Sequence, residues 1–286
     1  MNKRRIILIL AVLALLSSLS VMAYPMIANI LNEKYQSIVQ AEYTRELSSM
    51  DDGEILAARE AARAYNEGLH PIRYDRDAVD AATLNYDGLL DPTGTGIMGY
   101  VEIPKIRVNL PIYHGTEETE LRKGIGHLVG SSLPIGGVGE HSVLTGHSGV
   151  AEKRLFSDLE QLAEGDRFYL HILGETLAYK VTEINTVLPH ETDLLTADPD
   201  DDLCTLVTCT PYGVNSHRLL VRGSRIPLER IETSEEPVTQ SRPRQSAWKQ
   251  NYLKGLLIGC GSAAGAILVG LAISHILRKR RNRHET

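Results

Sequence analysis

The pattern of apolar and polar residues changes along the chain, and its two ends are the most apolar parts. Residues 6–22 (IILILAVLALLSSLSVM) form a nearly continuous apolar run directly after three basic residues. Residues 255–277 form a second run, which contains no Asp, Glu, Lys or Arg. At about 1.5 Å per residue, a helix of that length crosses a hydrocarbon layer roughly 30 Å thick. The pattern therefore predicts a membrane-associated segment at each end.

The charges that flank these runs indicate their orientation. A basic start before an apolar run is typical of a cleaved signal sequence and also of a retained anchor, and both remain open for residues 1–31. The second run is followed by RKRRNR, a cluster of the kind that marks the cytoplasmic side of a membrane. We therefore predict a transmembrane helix at 251–277, a basic cytoplasmic tail at 278–286, and an extracellular location for the region between the two ends.

The region after the first apolar run has a helical pattern. Residues 32–66 are rich in Glu, Ala, Gln and Arg, with apolar residues at roughly helical spacing. The pattern predicts two helices that are interrupted within residues 48–53. Together with a connector, these helices form a predicted N-terminal region at 32–97.

Beyond Tyr100 the pattern changes to short apolar runs bounded by Gly, Pro and Asn. Many short strands at such spacing predict a mainly β fold, either a closed barrel or a sandwich, over residues 98–229. A short helix is predicted at 155–162, and a polar, flexible linker at 230–250. The predicted strands are YVEIPKI, VNLPIYHG, HSVLTG, DRFYLHIL, LAYKVTEI, LCTLVTC and HRLLVRG.

The net charge and the cysteine positions bear on two questions: whether the protein binds nucleic acid and whether it forms disulfides. The chain has a net charge of −6 although both ends are basic, so the intervening region is acidic, which argues against a nucleic-acid partner. Of the three cysteines, Cys260 lies in the second apolar run. Cys204 and Cys209 are five positions apart on one predicted strand, so their side chains point to opposite faces. No disulfide is predicted, and Cys209 is expected to be a free thiol outside the cell.

Neither a nucleotide site nor a metal site is indicated. Residues 94–99 (GTGIMG) match the G-x-G-x-x-G pattern, but Asp-Pro precedes them and a predicted strand follows, where dinucleotide binding needs a strand and then a helix. The sequence has no H-E-x-x-H motif and no C-x-x-C motif. We therefore predict no cofactor and no metal.

The candidate chemistry lies around Cys209. If the runs before and after residues 210–217 pair as a hairpin, Cys209 faces Arg218 at its loop end. A buried cysteine usually does no more than pack in the hydrophobic core. A neighbouring guanidinium, however, stabilises the thiolate, which is the form that attacks carbonyl groups. His147 follows another apolar run, at the end of a predicted strand. Such a position can face another strand end across a barrel mouth, and His147 could serve as the acid that protonates the departing amine. Arg218 could instead donate to an oxyanion.

The stretch TLVTC followed by TPYGVNSHRLLVRG resembles the signature of sortases, in particular the class C sortases that polymerise pilins. The resemblance covers about residues 98–226. It implies an eight-stranded sortase-type β-barrel in which Cys209 is the nucleophile, His147 the general acid and base, and Arg218 the group that holds the substrate carbonyl. Thr208, beside the nucleophile, is assigned to substrate binding. Further matching segments are MGYVEIPKI, LPIYHGT, GIGHLVGSSLPIGG, HSVLTGHSG and LFSDL.

The resemblance also implies a substrate and a product. Sorting signals of the LPxTG kind would be cleaved between Thr and Gly, and the acyl group would be joined to a pilin lysine. Two alternatives stay open. The first is a sortase that anchors surface proteins to cell-wall peptide, and the second is a non-catalytic surface scaffold that binds sorting-signal peptides. No oligomeric state is predicted.

One feature of many class C sortases is missing. Their Asp-Pro-aromatic lid has no counterpart here, since Asp91-Pro92 is followed by Thr93 and Asp198-Pro199 by Asp200. Residues 70–75 (HPIRYD) could still supply a cover for the thiol through Tyr74 or Asp75. The alternative is a plain connector.

Overall fold

The computed structural model describes residues 3–69, 86–150, 152–228, 250, 252–261 and 265. The chain divides into two compact units. One comprises Met1–Met22 and Ala247–Thr286, and the other Ala23–Ser246. In the part of the chain that the structure describes, no helix is both long and apolar enough to cross a membrane. Most of the second apolar run, the linker and the basic tail lie outside the described residues, and the two membrane segments remain predictions.

Two helices precede the barrel, as the sequence predicts. Helix α1 spans Lys3–Ser49 and helix α2 spans Asp52–Gly68. Asp51 separates them with a capping box: its carboxylate accepts the Glu54 backbone N–H at 2.8 Å, and its own N–H donates to the Glu54 carboxylate at 2.9 Å. This box satisfies free N–H groups at the start of α2 and accounts for the interruption within residues 48–53.

The second unit contains a closed mixed barrel of eight strands in the order β1-β2-β3-β4-β7-β8-β6-β5. The β2–β3 and β4–β7 pairs are parallel and the others are antiparallel. The barrel prediction is confirmed, and the sandwich alternative is wrong. The strands are β1 (Ile97–Ile103), β2 (Val108–His114), β3 (Ile125–His127), β4 (His141–Thr145), β5 (Arg167–Ile172), β6 (Glu175–Val187), β7 (Leu203–Thr210) and β8 (His217–Ile226).

Three local elements differ from the sequence prediction. Strand β3 has only three residues, too few for a recognisable alternation, and the sequence pattern missed it. The predicted strand at 100–106 ends at Ile103, because Pro104 begins a 3-10 turn. Within the predicted helix at 155–162, only Leu159–Gln161 is helical, and that segment is a 3-10 turn. A further short helix, α3, spans Glu118–Leu121.

Alternation along β7 separates its two cysteines. Cys204 and Leu206 belong to the main core cluster inside the barrel. Val207 instead packs with Val143 and Leu220 in a separate cluster on the other face of the sheet. By the same alternation Cys209 lies on the face of Val207, away from Cys204. Both cysteines are free, with Cys204 buried and Cys209 partly exposed, in agreement with the prediction.

Candidate active site

The β7–β8 hairpin sets Cys209 directly opposite Arg218. The same ladder pairs Thr210 with His217, so the connecting loop is residues 211–216, shorter than the expected 210–217. Residues paired across an antiparallel ladder project to the same face of a sheet. Thiol and guanidinium therefore stand on one face at one end of the hairpin, as the sequence predicts.

His147 reaches the same place through the parallel pairing of β4 with β7. The register pairs Thr145 with Val207, and the Gly146 N–H donates to the Val207 carbonyl at 3.0 Å. His147 follows this last pair by two residues on its segment, as Cys209 does on β7. The three residues therefore lie at neighbouring ends of β4, β7 and β8. The strand that leads to His147 is a direct neighbour of β7 in the sheet.

Thr208 holds the two strand ends together. Its side chain is 2% exposed, and its hydroxyl donates to the Gly146 carbonyl at 2.7 Å. The hydrogen bond joins the residue before His147 to the residue before Cys209. In this structure the Thr208 hydroxyl is engaged in an internal contact, and the substrate contact assigned to it stays a prediction.

His147 contacts a carboxylate, and Arg218 donates to two backbone carbonyl groups. His147 Nε2 lies 3.2 Å from Glu118 Oε2. Arg218 Nη1 donates to the His217 carbonyl at 3.1 Å and to the Asn215 carbonyl at 3.3 Å. Sequence reasoning missed Glu118, because it belongs to no motif and lies 29 positions before His147.

The electrostatics of the two β7 cysteines and of Glu118 follow from burial and neighbours. Burial, reinforced by the Asp202 charge, raises the pKa of the Cys204 thiol well above its ordinary value. A hydrogen bond from Arg122 is the main cause that lowers the pKa of Glu118. Cys204 is therefore a protonated core thiol, whereas a carboxylate stands beside His147.

The segments around the strand ends are tied to one another. The Phe156 N–H donates to the His147 carbonyl at 3.1 Å, and the Gly149 N–H donates to Ser157 Oγ at 3.1 Å. At Gly149, which has φ of +82°, an added Cβ would stand 3.3 Å from the Gly213 nitrogen. The segment that carries His147 therefore touches the loop that follows Cys209.

The lid candidates Tyr74 and Asp75 lie outside the described residues. In the described ranges, no group of three or more His, Cys, Asp or Glu side chains could hold a metal ion.

A closed barrel with thiol, guanidinium and imidazole at neighbouring strand ends suits acyl transfer through a thiol. Comparison with known proteins agrees, since residues 101–226 match the family described as a sortase domain. Among curated relatives, sortase A of Streptococcus agalactiae serotype III is 29% identical over 149 residues. That match takes in 51% of this chain, which spans only 59% of the relative's length.

Solved structures extend the similarity. Sortase C1 from Streptococcus agalactiae is 45% identical, with a TM-score of 0.64 over 66% of this chain and 98% of that one. Sortase C of Clostridium perfringens, solved with the C-terminal cell wall sorting motif, is 41% identical, with a TM-score of 0.58 over 67% of this chain and 100% of that one. The chain belongs to the sortase family, and its similarity to sortase C structures places it in class C.

Proposed function

We propose that this chain is a membrane-anchored transpeptidase that cleaves LPxTG-like sorting signals between Thr and Gly and joins the acyl group to a pilin lysine. The observation that carries the proposal is the register at the barrel end. Arg218 is paired directly with Cys209, and the β4–β7 ladder ends two residues before His147 and two residues before Cys209. This register supports the assignment of Cys209 as nucleophile, His147 as acid and Arg218 as the cation.

In the first step, the thiolate of Cys209 attacks the Thr carbonyl of the sorting signal. The carbonyl oxygen becomes an oxyanion, which Arg218 stabilises by donating hydrogen bonds. Protonated His147 gives its proton to the departing Gly amine as the Thr–Gly bond breaks. The product is a thioester between Cys209 and Thr, together with the released C-terminal fragment.

In the second step, the side-chain amine of a pilin lysine attacks the thioester carbonyl. His147, now neutral, takes a proton from the attacking amine, and the sulfur leaves as thiolate. An isopeptide bond joins the two subunits, and the enzyme returns to its starting charge state. Repetition of the cycle builds a covalent fibre.

Arg218 can exchange one of its present contacts to serve in this cycle. Its Nη1 now donates to the carbonyl of Asn215, in the loop between β7 and β8, and to that of His217, the first residue of β8. A side-chain rotation would exchange the His217 carbonyl for the substrate oxygen. Guanidinium groups carry five donors in a fixed fork, so Arg218 can keep one loop contact while it binds the oxyanion.

The two apolar runs, at residues 6–22 and 255–277, support a location of this reaction at the cell membrane. Anchored by them, the barrel would stand on the outer face of a Gram-positive cell membrane, with the C-terminal tail in the cytoplasm. The thiol would then meet secreted pilins as they emerge. The structure of Clostridium perfringens sortase C, solved with a C-terminal cell wall sorting motif, supports the substrate class.

The primary experiment follows the thioester. Incubation of the purified full-length chain with an LPxTG peptide is expected to give an adduct on Cys209, seen as an increase in intact mass, and Cys209→Ala is expected to give none. Cys204→Ala is the matched control and should keep the adduct, because Cys204 lies inside the barrel. Peptide binding without an adduct on the wild-type chain would identify a non-catalytic scaffold instead.

The acceptor needs a separate test. In a strain without other sortases, the wild-type chain is expected to produce a ladder of high-mass pilin polymers, and Cys209→Ala only pilin monomer. Mass spectrometry of the product junction should find Thr joined to a lysine side chain of the next pilin. A junction to cell-wall peptide would favour the alternative, surface-protein anchoring, for which the similarity to a sortase A is the supporting observation.

A further inference from the structure

Within the described part of the chain, one carboxylate lies at ion-pair distance from His147. It belongs to Glu118, whose Oε2 is 3.2 Å from His147 Nε2. The three side chains named in the proposed function do not include it. A carboxylate in contact with a catalytic imidazole fixes which ring nitrogen carries the proton.

The Glu118 carboxylate is itself held in place. Its second oxygen, Oε1, accepts a hydrogen bond from Arg122 Nε at 2.7 Å. The backbone carbonyl of Arg122 in turn accepts a hydrogen bond from Lys153 Nζ, in the segment that follows β4. The two oxygens of Glu118 thus have different partners: Oε1 accepts a hydrogen bond from Arg122, and Oε2 faces the His147 imidazole.

The position of Glu118 is set by packing in addition to these surface contacts. Glu118 begins helix α3, which Leu121, 9% exposed, anchors against the barrel. A Cβ added to Gly126 of β3 would come within 3.0 Å of the Leu121 side chain. Gly126 pairs with Thr145 of β4, two residues before His147. A short path through packed strands therefore connects the carboxylate to the imidazole.

The contact has a consequence for catalysis. When Nε2–H donates to Glu118, neutral His147 carries its lone pair on Nδ1, which is then the atom free to exchange a proton with substrate. The negative charge also stabilises the imidazolium that gives its proton to the leaving amine in the first step and forms again in the second. The lowered pKa of Glu118, caused first by Arg122, keeps this carboxylate ionised.

We propose that Glu118 is a positioning residue, which orients His147 and stabilises its protonated form during transpeptidation. This inference rests on the proposed function. The Glu118 side chain is 61% exposed, so its effect should be smaller than that of a buried acid in a catalytic triad. We expect its removal to lower kcat about two- to fivefold, with little change in KM, because Glu118 acts through His147.

The test uses the full-length chain as wild type, Glu118→Ala, Glu118→Gln and Glu120→Ala. Glu120 is the matched control, since it lies on the same helix but contacts Thr119 and Lys123. Steady-state transpeptidation with an LPxTG peptide and an amine acceptor gives kcat and KM. Nitrogen-15 NMR of labelled histidine gives the tautomer of His147, which a purely structural role would leave unchanged.

Glu118→Ala should lower kcat and shift the His147 tautomer away from Nε2–H, and Glu120→Ala should change neither. Glu118→Gln, which retains an acceptor oxygen without the charge, should fall between wild type and Glu118→Ala. Equal tautomer populations and equal kcat in Glu118→Ala and Glu120→Ala would overturn the inference. If the wild-type chain forms no thioester, the proposed function fails, and the tautomer measurement still decides whether Glu118 orients His147.

Discussion

Thr208 Oγ1 donates a buried hydrogen bond of 2.7 Å to the carbonyl of Gly146. Each residue of this pair directly precedes a side chain proposed for catalysis, Cys209 in one case and His147 in the other. The contact joins the ends of β7 and β4, whose backbone ladder is parallel. One hydroxyl therefore helps to set the distance between the thiol and the imidazole.

Replacement of this hydroxyl should affect stability and catalysis together. Thr208→Val keeps the shape of the side chain but removes the donor, so the free energy of unfolding should fall by about 1–2 kcal/mol. The rate of thioester formation should also fall, because loss of the hydrogen bond from Thr208 to Gly146 leaves the end of β4 less firmly positioned beside β7. Urea unfolding and intact-mass kinetics measure the two effects. Thr208→Ser retains the hydroxyl and should stay close to wild type in both; if Thr208→Val matches it, the hydroxyl has no positioning role.

The cysteines should differ sharply in reactivity. In a Cys260→Ser background, iodoacetamide is expected to modify Cys209 in the folded protein and to leave Cys204 unmodified. Cys204 is 0% exposed, and burial raises the pKa of its thiol well above the ordinary value. Peptide mapping by mass spectrometry identifies the modified residue. In urea, where the barrel unfolds, both thiols should react. Rapid modification of Cys204 in the native state would contradict the placement of its side chain in the core.

Two buried histidines should make the barrel sensitive to acid. Burial lowers the pKa of His127 and that of His141 from 6.5 to about 4. Between these values the unfolded chain binds protons that the folded chain does not, so stability is fully present above about pH 6.5 and decreases as pH falls towards 4. Each histidine contributes a slope of up to about 1.4 kcal/mol per pH unit within this window.

Histidine variants isolate this contribution from that of the carboxylates. His141→Gln should reduce the slope of unfolding free energy against pH, measured by urea unfolding from pH 4.5 to 6.5. His190→Gln is the control, because His190 is exposed, and it should keep the wild-type slope. Parallel stability curves for His141→Gln and wild type would show that His141 does not titrate between these limits.

Gly146 allows no side chain beside His147. An added Cβ would lie 2.5 Å from Ile125 Cδ1 and 2.7 Å from Phe156 Cδ2, both closer than van der Waals contact. Gly146→Ala should therefore lower the free energy of unfolding by about 1–3 kcal/mol and slow thioester formation, because relief of the clash displaces His147. Gly88→Ala is the matched control, since no atom lies within 4 Å of its added Cβ. Equal melting temperatures for the two variants would contradict this packing.

The features that the sequence specifies by itself are local ones. The pairing of Cys209 with Arg218 could be predicted because both residues lie on the arms of one hairpin, where a short loop fixes the register. The interruption between α1 and α2 is marked by Asp51 and Glu54, three positions apart, which cap a helix by direct contact. Seven of the strands stand out as apolar runs because each is long enough to show its own pattern.

The position of His147 needed the tertiary structure. Its closeness to Cys209 depends on the parallel β4–β7 ladder, which joins segments about 60 residues apart, and spacing in sequence carries no register for such a pair. The family resemblance identifies His147 as the catalytic histidine, but the residue pattern alone does not distinguish it from the other histidines among the ten in the chain. The same limit applies to strand β3, which exists as a strand only because β2 and β4 flank it.

Glu118 and Thr208 show most clearly what packing decides. Nothing in the acidic stretch at 117–120 distinguishes the carboxylate that meets the imidazole from its neighbours, and only the docking of α3 against β3 selects Glu118. The Thr208 hydroxyl points to Gly146 because the barrel closes around it. Short stretches of sequence determine contacts between residues that are near each other along the chain. Contacts between distant side chains depend on closure of the sheet, because only the folded barrel fixes which strands are neighbours.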